Sequence, residues 1–266
     1  MPNGSRTHKL GRTHRTYDPR IPHMSALLAG QTLPPPPPSV DWSKGMPAEL
    51  GMMKNDTLGD CTCAAVYHAL QLWTFDANAG NMDTEPDSDV VKLYIQACGY
   101  NPRVPGEGPG GNEQHVLTFL LKRGAPVGPN GQNRHKIAAF VEVDPRNTDD
   151  VKRTINDCGL AYIGFNVPQN IVPQGSPPPK VWTVDPSNPQ IVGGHAVVLP
   201  GYDANGVKVI SWGEYYTMTW DFFAKYVDEV YAIADPTWIE KNGKTPGGLT
   251  LDELEAQMQA LREAAA

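Results

Sequence analysis

Apolar residues recur along this chain with two different periods, and the change of period divides it. The run "CTCAAVYHALQLWTF" from Cys61 to about Phe75 keeps one face apolar at helical spacing and predicts a helix. "SDVVKLYIQACGY" (88–100) predicts a second, with Ser88 or Asp87 as N-cap and Gly99 as its stop. "EQHVLTFLLKRGAP" (113–126) predicts a third, ending at Gly124. Beyond it the apolar runs shorten. "KIAAFVEVD" (136–144), "LAYIGFNV" (160–167), "GHAVVLPGYD" (194–203), "GVKVISWG" (206–213) and "VYAIAD" (230–235) read as strands. "NTDDVKRTINDCG" (147–159) reads as a capped helix among them, and "TWDFFAKYVDE" (219–229) as a helical segment. Helices dominate the first half and strands the second. That order predicts an α+β protein with an N-terminal helical lobe, a C-terminal antiparallel, barrel-like β lobe and a cleft between them.

The ends are built differently. Residues 1–39 form a basic, proline-rich arm or linker, 40–235 the folded domain, and 236–266 a C-terminal extension. Residues 1–23 carry Arg6, Lys9, Arg12, Arg15 and Arg20 against a single acid, Asp18. Such a run reads first as a solvated tail and second as an arm that docks on a partner. "LPPPPPSVDW" (33–42) is a stiff polyproline II spacer leading into Val40–Trp42. In the extension, Thr250 and Glu253 stand at capping-box spacing ahead of Leu251, Leu254, Met258 and Leu261. A helix there would dock on its own domain or on a second subunit.

Net charge is −7, so composition gives no case for nucleic-acid binding. No apolar run approaches the roughly 20 residues that span a bilayer, and nothing reads as a signal peptide. The four cysteines, Cys61, Cys63, Cys98 and Cys158, do not suggest a disulfide scaffold in a chain of 266 residues. A cytoplasmic protein with free thiols is expected, or a virion component if the chain is phage-encoded.

Chemistry concentrates in "NDTLGDCTCAAVYHALQLW" (55–73). Cys61 opens the first helix behind Gly59 and Asp60, where unpaired N–H groups favour a thiolate. Cys63 lies about 200° further round the helix and is expected to pack. Asp60 would oppose ionisation of Cys61 unless it points away. Of the seven histidines, His68 lies two turns along the same helix and reads as core, whereas His195 sits on a strand entered through Gly193 and Gly194. A C-x-C pair with no second cysteine pair is a poor metal clip, so no metal and no cofactor are expected.

Four segments in order, "SVDWSKG", "MMKNDTLGDCTCAA", "GGHAVVLPGYD" and "ISWG", resemble the papain-like cysteine peptidases, and more particularly their bacterial and phage-encoded relatives. The resemblance spans roughly residues 17–235. It implies Cys61 as nucleophile and His195 as general base. Asn55 would be an oxyanion donor beside the backbone N–H of Cys61, and Trp212 would shield the histidine. The family's orienting asparagine falls at Ile210, so Ser211 could take that role only with a one-residue shift of the strand. The implied function is a thiol hydrolase that cleaves peptide or isopeptide bonds. The alternatives are a weak or inactive papain-like module, for example in a phage particle, and an amidase acting on cell-wall peptides with the same chemistry. Peptide or protein substrates are the expected partners, with assembly through the arm and the C-terminal helix as a further possibility.

Overall fold

A computed structural model describes residues 7–30, 32–242 and 252. The helix expected in 250–266 lies outside the described residues except for residue 252. In chain order the elements are α1 (Met24–Leu27), β1 (Val40–Asp41), α2 (Cys61–Ala77), α3 (Asp87–Cys98), α4 (Glu113–Lys122), β2 (Ala125–Val127), β3 (Asn133–His135), β4 (Ala139–Glu142) and α5 (Thr148–Cys158). They continue with β5 (Ala161–Pro168), β6 (Val181–Trp182), β7 (Ile191–Tyr202), β8 (Gly206–Ser211), β9 (Glu214–Thr219), α6 (Trp220–Tyr226), β10 (Val227–Ala234) and α7 (Pro236–Asn242).

One eight-stranded sheet runs β4-β10-β5-β7-β8-β9-β6, with β1 added on β7. Its pairs are antiparallel except β6 with β9, and its path is open rather than closed into a barrel. Side chains alternate between two cores across this sheet. Tyr162, Ala196, Val198, Ile210, Tyr231 and Ile233 face α2, α3 and α4. Their neighbours Ile163, Val197, Leu199, Val209, Val230 and Ala232 face the core that includes residues of α5 and α6. Burial on both faces explains why these strands read as nearly unbroken apolar runs instead of alternating ones.

Helix α2 is the axis of the helical layer. Every residue from Cys61 to Trp73 is buried, as expected of a helix surrounded by protein. It is pinned by polar contacts as well as by packing. Trp73 Nε1 donates to the Cys158 carbonyl at 3.0 Å, and Tyr162 Oη donates to the Thr62 carbonyl at 2.9 Å. The second bond fixes the end of α2 that carries Cys61 against β5, next to β7, and the first ties its far half to the end of α5.

Several boundaries differ from the sequence expectation. The third helix stops at Lys122, because Ala125–Val127 turns away to pair with β3. The expected 219–229 helix ends at Tyr226, because Val227 already enters the ladder beside β5.

Candidate active site

Cys61 is the first residue of α2 and is fully buried. The backbone N–H groups of Ala196, the residue after His195, and of Gly11 favour its thiolate form. The thiol therefore lies against the strand that carries His195. Burial, reinforced by Asp60, pushes the Cys61 thiol up to about 12 despite those two donors.

His195 is also buried. Its Nε2 lies 2.7 Å from Ser211 Oγ, and its ring stacks on Trp212 with centroids 4.4 Å apart. Phe165 meets it edge-on at 5.8 Å. The ring is thus held by one polar atom and two aromatic walls. Its Nδ1 is buried and makes no hydrogen bond. Burial, with His8 adding to it, drops the imidazole to about 3. Thiol and imidazole are both neutral in this state, as expected where water is excluded from both.

Ser211 holds the position that the sequence left between two residues. Ile210 is fully buried among apolar residues facing the helical layer, and Ser211, one residue on, reaches the imidazole. The β7–β8 ladder carries a register shift between Val198 and Gly201, just beyond this point.

Asn55 borders the same space but is otherwise engaged. Its Nδ2 donates to the Leu58 carbonyl at 3.1 Å and to Asp60 Oδ1 at 3.3 Å. Both amide hydrogens are committed, so serving as an oxyanion donor would require breaking one of these bonds. Asp60 does not cap α2 with its side chain; burial raises its carboxyl to about 8, which keeps a negative charge away from the thiol below that pH. Cys63 packs in the core with its sulfur 3.9 Å from Cys98 Sγ, and His68 pairs its Nδ1 with Gln71 Oε1 at 2.9 Å. Both side chains are buried in the core. Among the described residues, no group of three or more His, Cys, Asp or Glu could hold a metal ion.

The arm supplies the largest departure from the sequence reading. Residues 7–13 are not a solvated tail; they run through the cleft over Cys61. Lys9 N donates to the Asn55 carbonyl at 3.0 Å, and Trp212 Nε1 donates to the Lys9 carbonyl at 3.2 Å. Gly11 N and Arg12 N both reach the Gly194 carbonyl, at 3.3 and 3.1 Å. On the other wall, Gly111 N donates to the Gly11 carbonyl at 2.7 Å, and Thr13 N donates to the Gly111 carbonyl at 2.9 Å. Arg12 and Gly111 thereby form a parallel bridge. A Cβ on Gly11 would lie 1.9 Å from the Gly59 carbonyl oxygen, so only glycine lets the arm come this close.

Arg12 is buried below this bridge. Its Nε donates to Glu113 Oε2 at 2.7 Å, and its Nη2 lies 2.6 Å from Glu229 Oε2 and 2.6 Å from Asp228 Oδ1. None of these acids was singled out in the sequence. The available signal was Glu229 itself, an acid at the start of the apolar run "VYAIA".

No protein-family model matches the chain, and no curated protein matches it significantly. Solved structures do. Xylellain, a cysteine protease from Xylella fastidiosa, shares 17% identity at a TM-score of 0.65, over 88% of this chain and 99% of that one. A procathepsin B from Trypanosoma congolense shares 12% identity at a TM-score of 0.57, over 85% of this chain and 86% of that one. The ragweed pollen allergen Amb a 11, a cysteine protease solved in its proform, shares 16% identity at a TM-score of 0.53, over 79% of this chain and 68% of that one. The chain has the α+β fold of the papain-like cysteine proteases.

Proposed function

We propose that the chain is a papain-like thiol hydrolase of peptide bonds whose cleft is covered, in the state described, by its own residues 7–13. The observation that carries this reading is the buried Cys61 thiol at the start of α2, one strand residue from an imidazole held by Ser211 and walled by Trp212. In the reaction, His195 takes the thiol proton and the Cys61 sulfur attacks the carbonyl carbon. His195 then gives that proton to the departing amine, leaving a thioester that water hydrolyses with His195 again acting as base. Ser211 would hold the ring so that Nδ1, the nitrogen without a partner, faces the thiol. The backbone N–H of Cys61 is the available oxyanion donor, with Asn55 joining once freed from Asp60.

Catalysis requires the arm to leave. Gly11 gives its N–H to the Gly194 carbonyl and receives the Gly111 N–H on its own carbonyl, so the arm is bonded to both sides of the cleft. Departure would admit water to Cys61 and His195 and remove the desolvation that keeps both neutral. Two of the fold neighbours, the procathepsin B and Amb a 11, were solved as pro-forms, which agrees with a covered cleft. The blocked cleft also favours a second reading, a papain-like module used for structure or binding. A thiol-directed peptidyl probe separates the two in the full chain carrying Gly11→Ala, which opens the cleft. The hydrolase reading expects labelling that Cys61→Ala abolishes, together with turnover of a peptide library. Labelling that survives Cys61→Ala, or an open cleft with no turnover, leaves the module.

A further inference from the structure

Two thiols that the proposed chemistry does not use meet beside the start of α2. Cys63 Sγ lies 3.9 Å from Cys98 Sγ, across 35 positions of chain. Cys63 is fully buried on α2, and Cys98 is half-buried as the last residue of α3. A Cβ on Gly111 would lie 3.0 Å from Cys98 Sγ and 2.1 Å from Thr62 Oγ1, so the wall that bonds to Gly11 rests on this corner. A disulfide holds its sulfurs about 2.05 Å apart, so these two must close by about 2 Å. That is within the swing of a cysteine side chain about its Cα–Cβ bond.

Two thiols in contact can be nothing more than packing; what distinguishes this pair is that its members are unequal. Burial holds the Cys63 thiol well above the usual range, whereas the hydrogen bond with Cys63 holds Cys98 below it. The more readily ionised sulfur is therefore also the more accessible one, and a second thiol stands in contact behind it. The other two cysteines do not compete. Cys61 is fully buried with its thiol pushed up to about 12, and Cys158 is buried in the core on the opposite face of the sheet.

We propose that Cys63 and Cys98 are a modification site, a dithiol that a hydroperoxide converts into an intramolecular disulfide clamping α2 to the end of α3. In the first step the Cys98 sulfur attacks the outer peroxide oxygen. An S–O bond forms, the O–O bond breaks, and the departing oxygen takes the thiol proton, leaving Cys98 as a sulfenic acid. In the second step the Cys63 sulfur attacks the Cys98 sulfur. The S–S bond forms, the S–O bond breaks, and hydroxide leaves as water with the Cys63 proton. Two thiols lose the two electrons that reduce one peroxide. The inference does not rest on the hydrolase reading, since it uses neither Cys61 nor His195.

The test treats the reduced full chain with hydrogen peroxide, alkylates the remaining thiols with N-ethylmaleimide in denaturant, and maps the cysteine peptides by mass spectrometry. The expected product is a Cys63–Cys98 linked peptide from a single chain, with Cys61 and Cys158 alkylated. Urea unfolding of the linked protein is expected to show a midpoint raised by about 1 M, and dithiothreitol should restore the original midpoint. Cys98→Ser should abolish both the link and the shift. Cys63→Ala removes the second thiol, so Cys98 should persist as a sulfenic acid that dimedone traps; if that variant does not fold, Cys98→Ser carries the test alone. Both cysteines recovered alkylated, Cys98 driven to sulfinic acid in the parent, or a link between two chains overturns the proposal. So does oxidation of Cys61 ahead of the link, or a linked protein with a lowered midpoint.

Discussion

At the scale of single residues, the proposed catalytic parts are those whose environments are most unlike their neighbours'. His195 is turned by one hydroxyl, and the cost of losing it can be stated. In a Gly11→Ala background, Ser211→Ala is expected to lower kcat about 10–100-fold with little change in KM, the size of one lost buried hydrogen bond. Ser211→Thr keeps the hydroxyl and is expected to restore most of the rate. Equal rates for all three would remove Ser211 from the positioning role. His68 gives a second test, on stability. Burial lowers it from 6.5 to about 4, so between those values the unfolded chain binds a proton that the native chain does not. Its contribution is intact above pH 6.5 and falls as pH drops through that window. His68→Gln is therefore expected to lose about 2 kcal/mol less than the parent between pH 7.5 and pH 5, measured by urea unfolding. Identical losses would contradict the buried neutral state; His195, shared by both proteins, cancels in the difference. Much of this scale was legible in the sequence. Cys61 before a helix, His195 behind two glycines and His68 on the core face all came from local pattern. Ser211 over Ile210 did not, because strand register decides which of two adjacent side chains reaches a ring, and register is a property of the partner strand.

At the scale of elements, legibility followed length and burial. α2, α3, α5 and β7 are long or strongly patterned. The short β2, β6 and α7 are set by tertiary pairing: α7, for instance, is anchored by Trp238 Nε1 on the Asp157 carbonyl at 2.7 Å. The arm was misread for a related reason. Its ordering comes from backbone hydrogen bonds to Gly111 and Gly194 and from buried acids far along the chain, and composition sees none of these. The close approach at Gly11 makes the arm's docking easy to break. Gly11→Ala sets a methyl against the Gly59 carbonyl, a backbone atom with nowhere to move. Overpacking of this kind costs about 1–3 kcal/mol, so the equilibrium between the docked and undocked arm is expected to shift about 5- to 150-fold toward undocking. The readout is the rate of iodoacetamide labelling at Cys61, which should rise by the same factor. An unchanged rate would mean that the arm does not guard the thiol.

At the scale of the whole molecule, the arm ties two walls that no single element joins. One side of the cleft is Gly111 and Glu113, at the start of α4; the other is Gly194 on β7, Trp212 after β8, and Glu229 on β10. Gly11 and Arg12 bond to both. Arg12 does not leave in part without cost, because pulling the guanidinium from Glu113 while Glu229 keeps it strips its donor from a fully buried carboxyl whose pKa burial and Glu229 already raise. Release should therefore be all-or-none across residues 9–13. Native-state hydrogen exchange tests this at the amides of Lys9, Gly11, Arg12, Thr13 and Gly111, each of which donates across the arm's contacts. A single opening event predicts one common exchange free energy for these five amides, well below that of the central strands β5 and β7. Arg12→Ala should lower all five together. Stepwise fraying, with Lys9 exchanging far faster than Gly111 and the variant affecting only Arg12 and Thr13, would mean that the arm is held by independent local contacts. Cys61 would then be uncovered without Arg12 leaving Glu113 and Glu229, and thiol exposure and release of Arg12 would become separable properties of the same cleft.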